Sequence, residues 1–316
     1  MLSLEKRSAA IVDALLKADE WLRQHAAEVE QLLEQPQTAG RDPIARLGRG
    51  AREARRRASA ARAARGARAW NGWAAAIDSI LEDLRGQANA LAVIDSVCTA
   101  DFDAAVWDKT LDMAGWRFPA TARFAGSTFR GDAWFAAAQF RAGANFAGAR
   151  FQATAAFENA SIGGRADFDA AAFSDRAEFR CARFKGPVTF EKASFAKDAW
   201  FRGSEFHGPV TFDQSSFAGE AGLGACSYRG EASFRGVAFG DNAGFDGADF
   251  AGKASFDRSH FSRNAWFDGA RFGELPSFDL ARFSGRARFD GIVMPSTPSA
   301  VHEQIAALQR QVKSFS

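Results

Sequence analysis

The chain has 316 residues, a formal net charge of +2 and 47% hydrophobic residues. That is room for one large or two modest domains, with no global field to draw it to nucleic acid or membrane. Thirty-one Phe against one Tyr, with 29 Gly, is a bias that marks an internal repeat. No uninterrupted apolar stretch approaches about 18 residues, so no membrane span is expected. The opening Met-Leu-Ser-Leu-Glu-Lys-Arg has no apolar core of a signal peptide. Cys98, Cys181 and Cys226 are far apart and unpatterned, which fits a reducing compartment and a cytoplasmic location.

Residues 3–35 read as a helix. Leu4, Ile11, Ala18, His25 and Leu32 recur every seven, as do Ser8, Leu15, Leu22 and Val29, forming one apolar seam that ends before Pro36. The seam suits packing on a neighbouring helix of the same chain, or a coiled coil with a second copy. Residues 41–68 then carry ten Arg against Asp42 and Glu53, a local balance of +8 (10 − 2). Arg52, Arg55, Arg56, Arg57 and Arg62 lie in its densest part. On a helical wheel the arginines go all the way round, so the segment is expected to be a solvated helix or arm with no buried face. It is the one place where nucleic acid could be held, alongside an acidic protein or an anionic surface. From residue 70 to 97 an apolar stripe returns at Trp73, Ile77, Ile80, Leu84, Ala88, Leu91 and Ile94, flanked by Trp70 and Leu81. It predicts a helix that docks on the start of the repeat.

From Phe124 to Phe289 a large apolar residue returns after five, then six, then five residues, through thirty steps without a slip. Phe fills all but three of the positions, which hold Ile162, Leu223 and Tyr228. A helix would spread such residues over separate faces, and a continuous strand would flip them from side to side. One interior is reached only if the chain turns a corner between successive rings. Four corners make a square coil of 22 residues. Two residues before each ring stands a small side chain such as Ala122, Ser127, Ala133 or Cys226. One large and one small residue per wall is what a narrow tube can hold, so Cys226 reads as core.

Units such as Ala149-Arg150-Phe151, Ala248-Asp249-Phe250-Ala251-Gly252 and Ala270-Arg271-Phe272 resemble those of pentapeptide-repeat proteins. The resemblance implies a mainly β fold, a right-handed quadrilateral β-helix, with α-helical flanks. It is clear over the Phe ladder and weaker back through Phe118, Met113, Trp107 and Phe102. Phe replaces the usual central Leu, and every second unit has an extra residue, which suggests a bulged corner. About eight coils are expected. The domain plan is a helical region over 1–97, a β-helix over 98–295 and a helix over 299–316. That last helix carries Val301, Ile305, Leu308, Val312 and Phe315 on one stripe, to close the coil stack or pair with a second copy. Terminal helices thus allow a homodimer.

Residues 22 apart should form columns. Asp169, Glu191, Asp213, Asp257 and Asp279 make an acidic column interrupted by Arg235, read mainly as solvated surface. Thr189, Thr211, Ser233, Ser255 and Ser277 make a hydroxyl column, read as a hydrogen-bonding ladder. Trp134, Trp200 and Trp266 fall 66 residues apart on one wall and point outward. They read either as partner anchors or as a surface covered by the N-terminal helices. Arg141, Lys185, His207 and Arg229 share the fourth wall. The His and Cys have no metal-ligand spacing, no phosphate loop or nucleophile elbow is present, and a regular solenoid offers no cleft. No cofactor, metal or enzymatic activity is expected. The primary expectation is a scaffold that binds a protein partner. The resemblance adds two alternatives: a DNA-mimic binder of gyrase or topoisomerase, and an accessory module of a bacterial secretion or toxin system. A DNA mimic wants an acidic rod, yet residues 101–298 hold 24 Asp/Glu and 23 Lys/Arg, a net of −1 (23 − 24).

Overall fold

The computed structural model describes residues 13–15, 17, 19–24, 49–83, 95 and 98–295. Among the described residues, three helices, α1 (Glu20–Gln24), α2 (Arg49–Ala63) and α3 (Ala67–Asp83), precede 34 two-residue strands. The strands form four parallel sheets of eight, nine, nine and eight strands; each strand pairs with the one four places on, except at the last coil, where Phe261↔Phe283 and Trp266↔Arg288 join strands three places apart. Every pairing has a register of 22, as in Ala122↔Ala144, Phe129↔Phe151, Ala133↔Ala155 and Gln139↔Ser161. We number the walls 1 to 4 after these four examples. Nine-stranded sheets mean about nine coils rather than eight. The additional coil is Ala100–Phe118, whose strands pair in register although its large residues are mixed. At about 4.8 Å per step the stack is about 40 Å long.

The five–six rhythm follows from two kinds of corner. At five-residue corners the ring residue's carbonyl accepts a hydrogen bond three residues on: Ser127 N→Phe124 O is 3.1 Å and Ala149 N→Phe146 O is 2.9 Å. The third turn residue has a positive φ, 64° at Gly126 and 63° at Gly148, the signature of a type II turn. Six-residue corners show no such bond among the described residues; the extra residue lets the chain bend openly. Between walls 4 and 1 this bend stacks backbone on backbone. A Cβ at Gly164 would stand 1.5 Å from the Ala142 carbonyl oxygen, so only glycine fits there.

Inside, like stacks on like. Phe129 and Phe151 lie 4.6 Å apart and 4° from parallel; Phe179 and Phe201 lie 4.7 Å apart and parallel. Rings on opposite walls meet edge to face, as Phe168 does Phe179 at 5.5 Å. Offset stacks and edge contacts are the two favoured aromatic geometries, and here they alternate in one tube. The small residues, including Cys226, are buried beside them.

The helices close the first coil. Trp70 is fully buried, its ring tilted against those of Trp116, Phe118 and Phe102 at 5.3–5.9 Å. Ile77, Ile80 and Leu81 join that core, as the stripe predicted; Leu84, Ala88, Leu91 and Ile94 lie outside the described residues. Leu15 and Leu22 of the first seam are buried in the same core. The rest of that seam and the helix expected over 299–316 also fall outside the described residues. Among the described residues no helix is long and apolar enough to cross a membrane.

Candidate interaction surface

The arginine-rich segment departs from expectation. It does bury a face. On α2, Ala54, Arg55, Ala58, Ser59 and Arg62 turn inward at three- and four-residue steps, while Arg52, Arg56 and Arg57 stay exposed. Arg55 is 1% exposed: its Nε donates to the Thr99 carbonyl at 2.7 Å and its Nη1 reaches Asp19 at 3.2 Å. Arg62 reaches the same carboxylate at 3.2 Å. Burial alone would raise the pKa of Asp19, but the charges of Arg55 and Arg62 outweigh it and hold the carboxyl below its ordinary value. A polar wheel can be buried here because its partner is polar too. The open edge of the first coil presents backbone groups. Ser59 Oγ accepts from Asp101 N at 3.1 Å, Asn71 Oδ1 from Arg117 N at 2.9 Å, and Trp70 Nε1 donates to Arg117 O at 2.8 Å. Periodicity counts apolar residues only, so this polar cap left no signal in it.

The acidic column is only partly solvated surface. Asp169 Oδ1 accepts the Glu191 amide at 2.9 Å, Asp213 Oδ1 the Arg235 amide at 2.9 Å, and Asp257 Oδ1 the Asp279 amide at 2.9 Å. Each also takes a hydroxyl from the next coil: Thr189, Ser233 and Ser277 in turn. The predicted hydroxyl ladder thus runs through carboxylates at Thr189, Ser233 and Ser277, whereas Thr211 Oγ1 accepts from the Asp213 amide at 3.1 Å. Asp103, not singled out from sequence, does the same with the Ala125 amide at 2.8 Å. For Asp257, burial would raise the pKa, yet the bonds from Ser277 and Asp279 keep it below the ordinary value. Glu191 and Asp279 have their own amides engaged, while their side chains stand further out.

The tryptophans lie in one column of wall 3, which reads Trp134, Ala156, Glu178, Trp200, Gly222, Gly244, Trp266 and Arg288 along the register. Trp134 is 43% exposed; Trp200 and Trp266 are half-buried. A Cβ at Gly222 would meet the Trp200 ring at 2.4 Å, and one at Gly244 would be 3.7 Å from the Trp266 ring. The two indoles therefore lean over the glycine pair between them. Arg180 sits 5.1 Å from the centre of the Trp200 ring and is ion-paired with Glu178, whose carboxyl burial pushes upward against the pull of that arginine. The described helices pack elsewhere. Their hydrogen bonds go to the first coil and, through Asp78, to Arg117 at 2.7 Å and Arg141 at 3.0 Å on wall 4.

A parallel solenoid of four sheets with rings stacked every 22 residues is a repeat architecture of one specific kind. The repeat region belongs to the pentapeptide-repeat family. The family model described as pentapeptide repeats (9 copies) matches residues 117–161, 168–216 and 245–293. Its interruptions contain Ile162, Leu223 and Tyr228, the three ladder positions without Phe, yet strand pairing runs through them unbroken. No curated protein and no solved structure gives a significant match. Among the described residues no group of three or more His, Cys, Asp or Glu side chains is placed to hold a metal ion.

Proposed function

We propose that the protein is a non-enzymatic scaffold that meets a protein partner on wall 3. The observation behind this is the column of Trp134, Trp200 and Trp266, aromatic groups kept at the surface of a rod whose interior holds its other large rings. Indoles are enriched at protein interfaces because they combine a large apolar area with little entropy to lose. Trp200 and Trp266 are set by the glycine pair and Arg180, so their rings are ordered before any partner arrives, which lowers the cost of association. A rigid solenoid adds the same advantage along its length.

The test is affinity capture with the full chain and with a Trp134→Ala/Trp200→Ala variant. Trp134 is exposed and Trp200 lies half-buried outside the core, so the coils should stay folded with at most a modest fall in unfolding temperature. A captured protein should be lost from the variant; its undiminished recovery would remove wall 3 from consideration. The DNA-mimic alternative is less favoured, because Asp169, Asp213 and Asp257 spend an oxygen on the next coil rather than presenting it free. The secretion-module alternative differs only in the partner's identity, which the same capture would reveal.

A further inference from the structure

A cavity of about 460 Å³ opens among the helices of the cap. Among the described residues its lining carries Arg23 of α1, Arg57 and Arg62 of α2, Arg65 of the α2–α3 turn and Trp73 of α3, and none of them is acidic; small alanines form most of the rest. Two donors in this lining have no acceptor. Arg62 Nη1 and the indole Nε1 of Trp73 are shielded from solvent and make no hydrogen bond. Trp73 is 7% exposed, and the Arg62 guanidinium lies 4.1 Å over its ring. Asp19 engages Arg62 through Nη2 at 3.2 Å and is shared with Arg55, so it does not reach Nη1.

Buried donors without partners are rare in folded proteins and call for an acceptor. Guanidinium and indole N–H groups can only donate, so the missing partner is an acceptor, and the four arginines that the described lining brings together favour an anion. Arg23, Arg57 and Arg65 are exposed at the rim, in position for further negative charge. We infer that this cavity binds a small organic polyphosphate, which pairs with the rim arginines Arg23, Arg57 and Arg65 and draws the unpartnered donors Arg62 Nη1 and Trp73 Nε1 toward its phosphoryl oxygens. Planar guanidinium groups match phosphate oxygens two at a time, and several of them converge here from three segments. The volume is that of a small-molecule site, which runs from about 300 to 1,000 Å³, and leaves room for an organic group. Burial lowers the pKa of Arg62 against the opposing pull of Asp19, as expected where a buried cation is short of negative company.

Titration calorimetry on the full chain, with inorganic pyrophosphate and ATP as probes, tests this. Inorganic phosphate and a polyglutamate peptide at matched ionic strength are the comparisons. Saturable binding of pyrophosphate or ATP is expected, at least tenfold tighter than phosphate. It should weaken at least tenfold in an Arg57→Ala/Arg65→Ala variant, whose ligand-free unfolding should match the native chain because both side chains are exposed. Absence of saturable binding by both probes overturns the inference. So does equal binding by the variant, which would mark a general ionic effect. Polyglutamate binding that neither probe can displace would assign the arginines to an acidic protein segment instead.

Discussion

At the scale of single residues, Tyr228 is the one phenol in a tube of phenyl rings. It lies between Phe206 at 5.1 Å and Phe250 at 4.5 Å, within 3° of parallel to both, so its ring fits the stack. Its hydroxyl is buried and makes no well-formed hydrogen bond; its nearest polar neighbour is the Cys226 thiol, a weak partner that itself donates to the Phe201 carbonyl at 3.0 Å. An unsatisfied buried polar group costs about 1–3 kcal/mol. Tyr228→Phe should therefore stabilise the protein by roughly that amount. It would be seen as a higher urea midpoint at unchanged slope, and a lower midpoint would show that the hydroxyl has a use. The ladder itself was legible because ring size and spacing are local properties. The left-handed corners were not. Lys192, Gln214 and Arg258 adopt φ of 57–59° at corner positions where Gly126, Gly148 and Gly236 stand in other coils. Nothing in a lysine or an arginine announces that conformation; the neighbouring coil imposes it.

Among the elements, the cap shows where periodicity fails as a guide. The wheel of α2 is cationic on all sides, and what decides its buried face lies far away in sequence: Asp19, and the open backbone groups of Thr99 and Asp101. The stripe of α3 was readable because its partners are apolar rings. Asp19 is fully buried between Arg55 and Arg62. Removing one partner of a buried ionic group leaves the other uncompensated, at a cost of about 3–5 kcal/mol. Asp19→Asn should loosen the cap by that order, with amide exchange rising across residues 49–83 while the middle coils stay protected. Protection lost evenly along the chain would instead mean that cap and coils open together. The wild-type carboxyl titrates below its ordinary 3.8, so its contribution is complete above about pH 4 and is lost as the pH falls through the folded value.

For the whole molecule, each coil touches only its neighbours, so a disturbance in one propagates by exposing the next. Two thiols sit at separate points of this stack, Cys98 beneath the cap and Cys226 in the middle coils, and burial pushes both from 9.0 up to about 12. Burial also raises the Tyr228 phenol well above its ordinary 10.0. All three are neutral when protonated, and the folded state holds those protons to higher pH than the unfolded chain. Their contribution is therefore complete below about pH 9 and is lost as the pH climbs toward 12. For each thiol the full loss is about 4 kcal/mol. The unfolding temperature should be flat to pH 9 and then fall steeply. Cys226→Ser separates this cause from general alkaline repulsion. Ser204 occupies the equivalent position one coil earlier, and its hydroxyl donates to Phe179 O at 2.5 Å just as the Cys226 thiol does to Phe201 O. The serine should thus keep the core and the hydrogen bond. Its stability at pH 7 should stay within about 1 kcal/mol of wild type, with a shallower decline above pH 9. A decline of unchanged steepness would place the alkaline sensitivity outside the buried thiol.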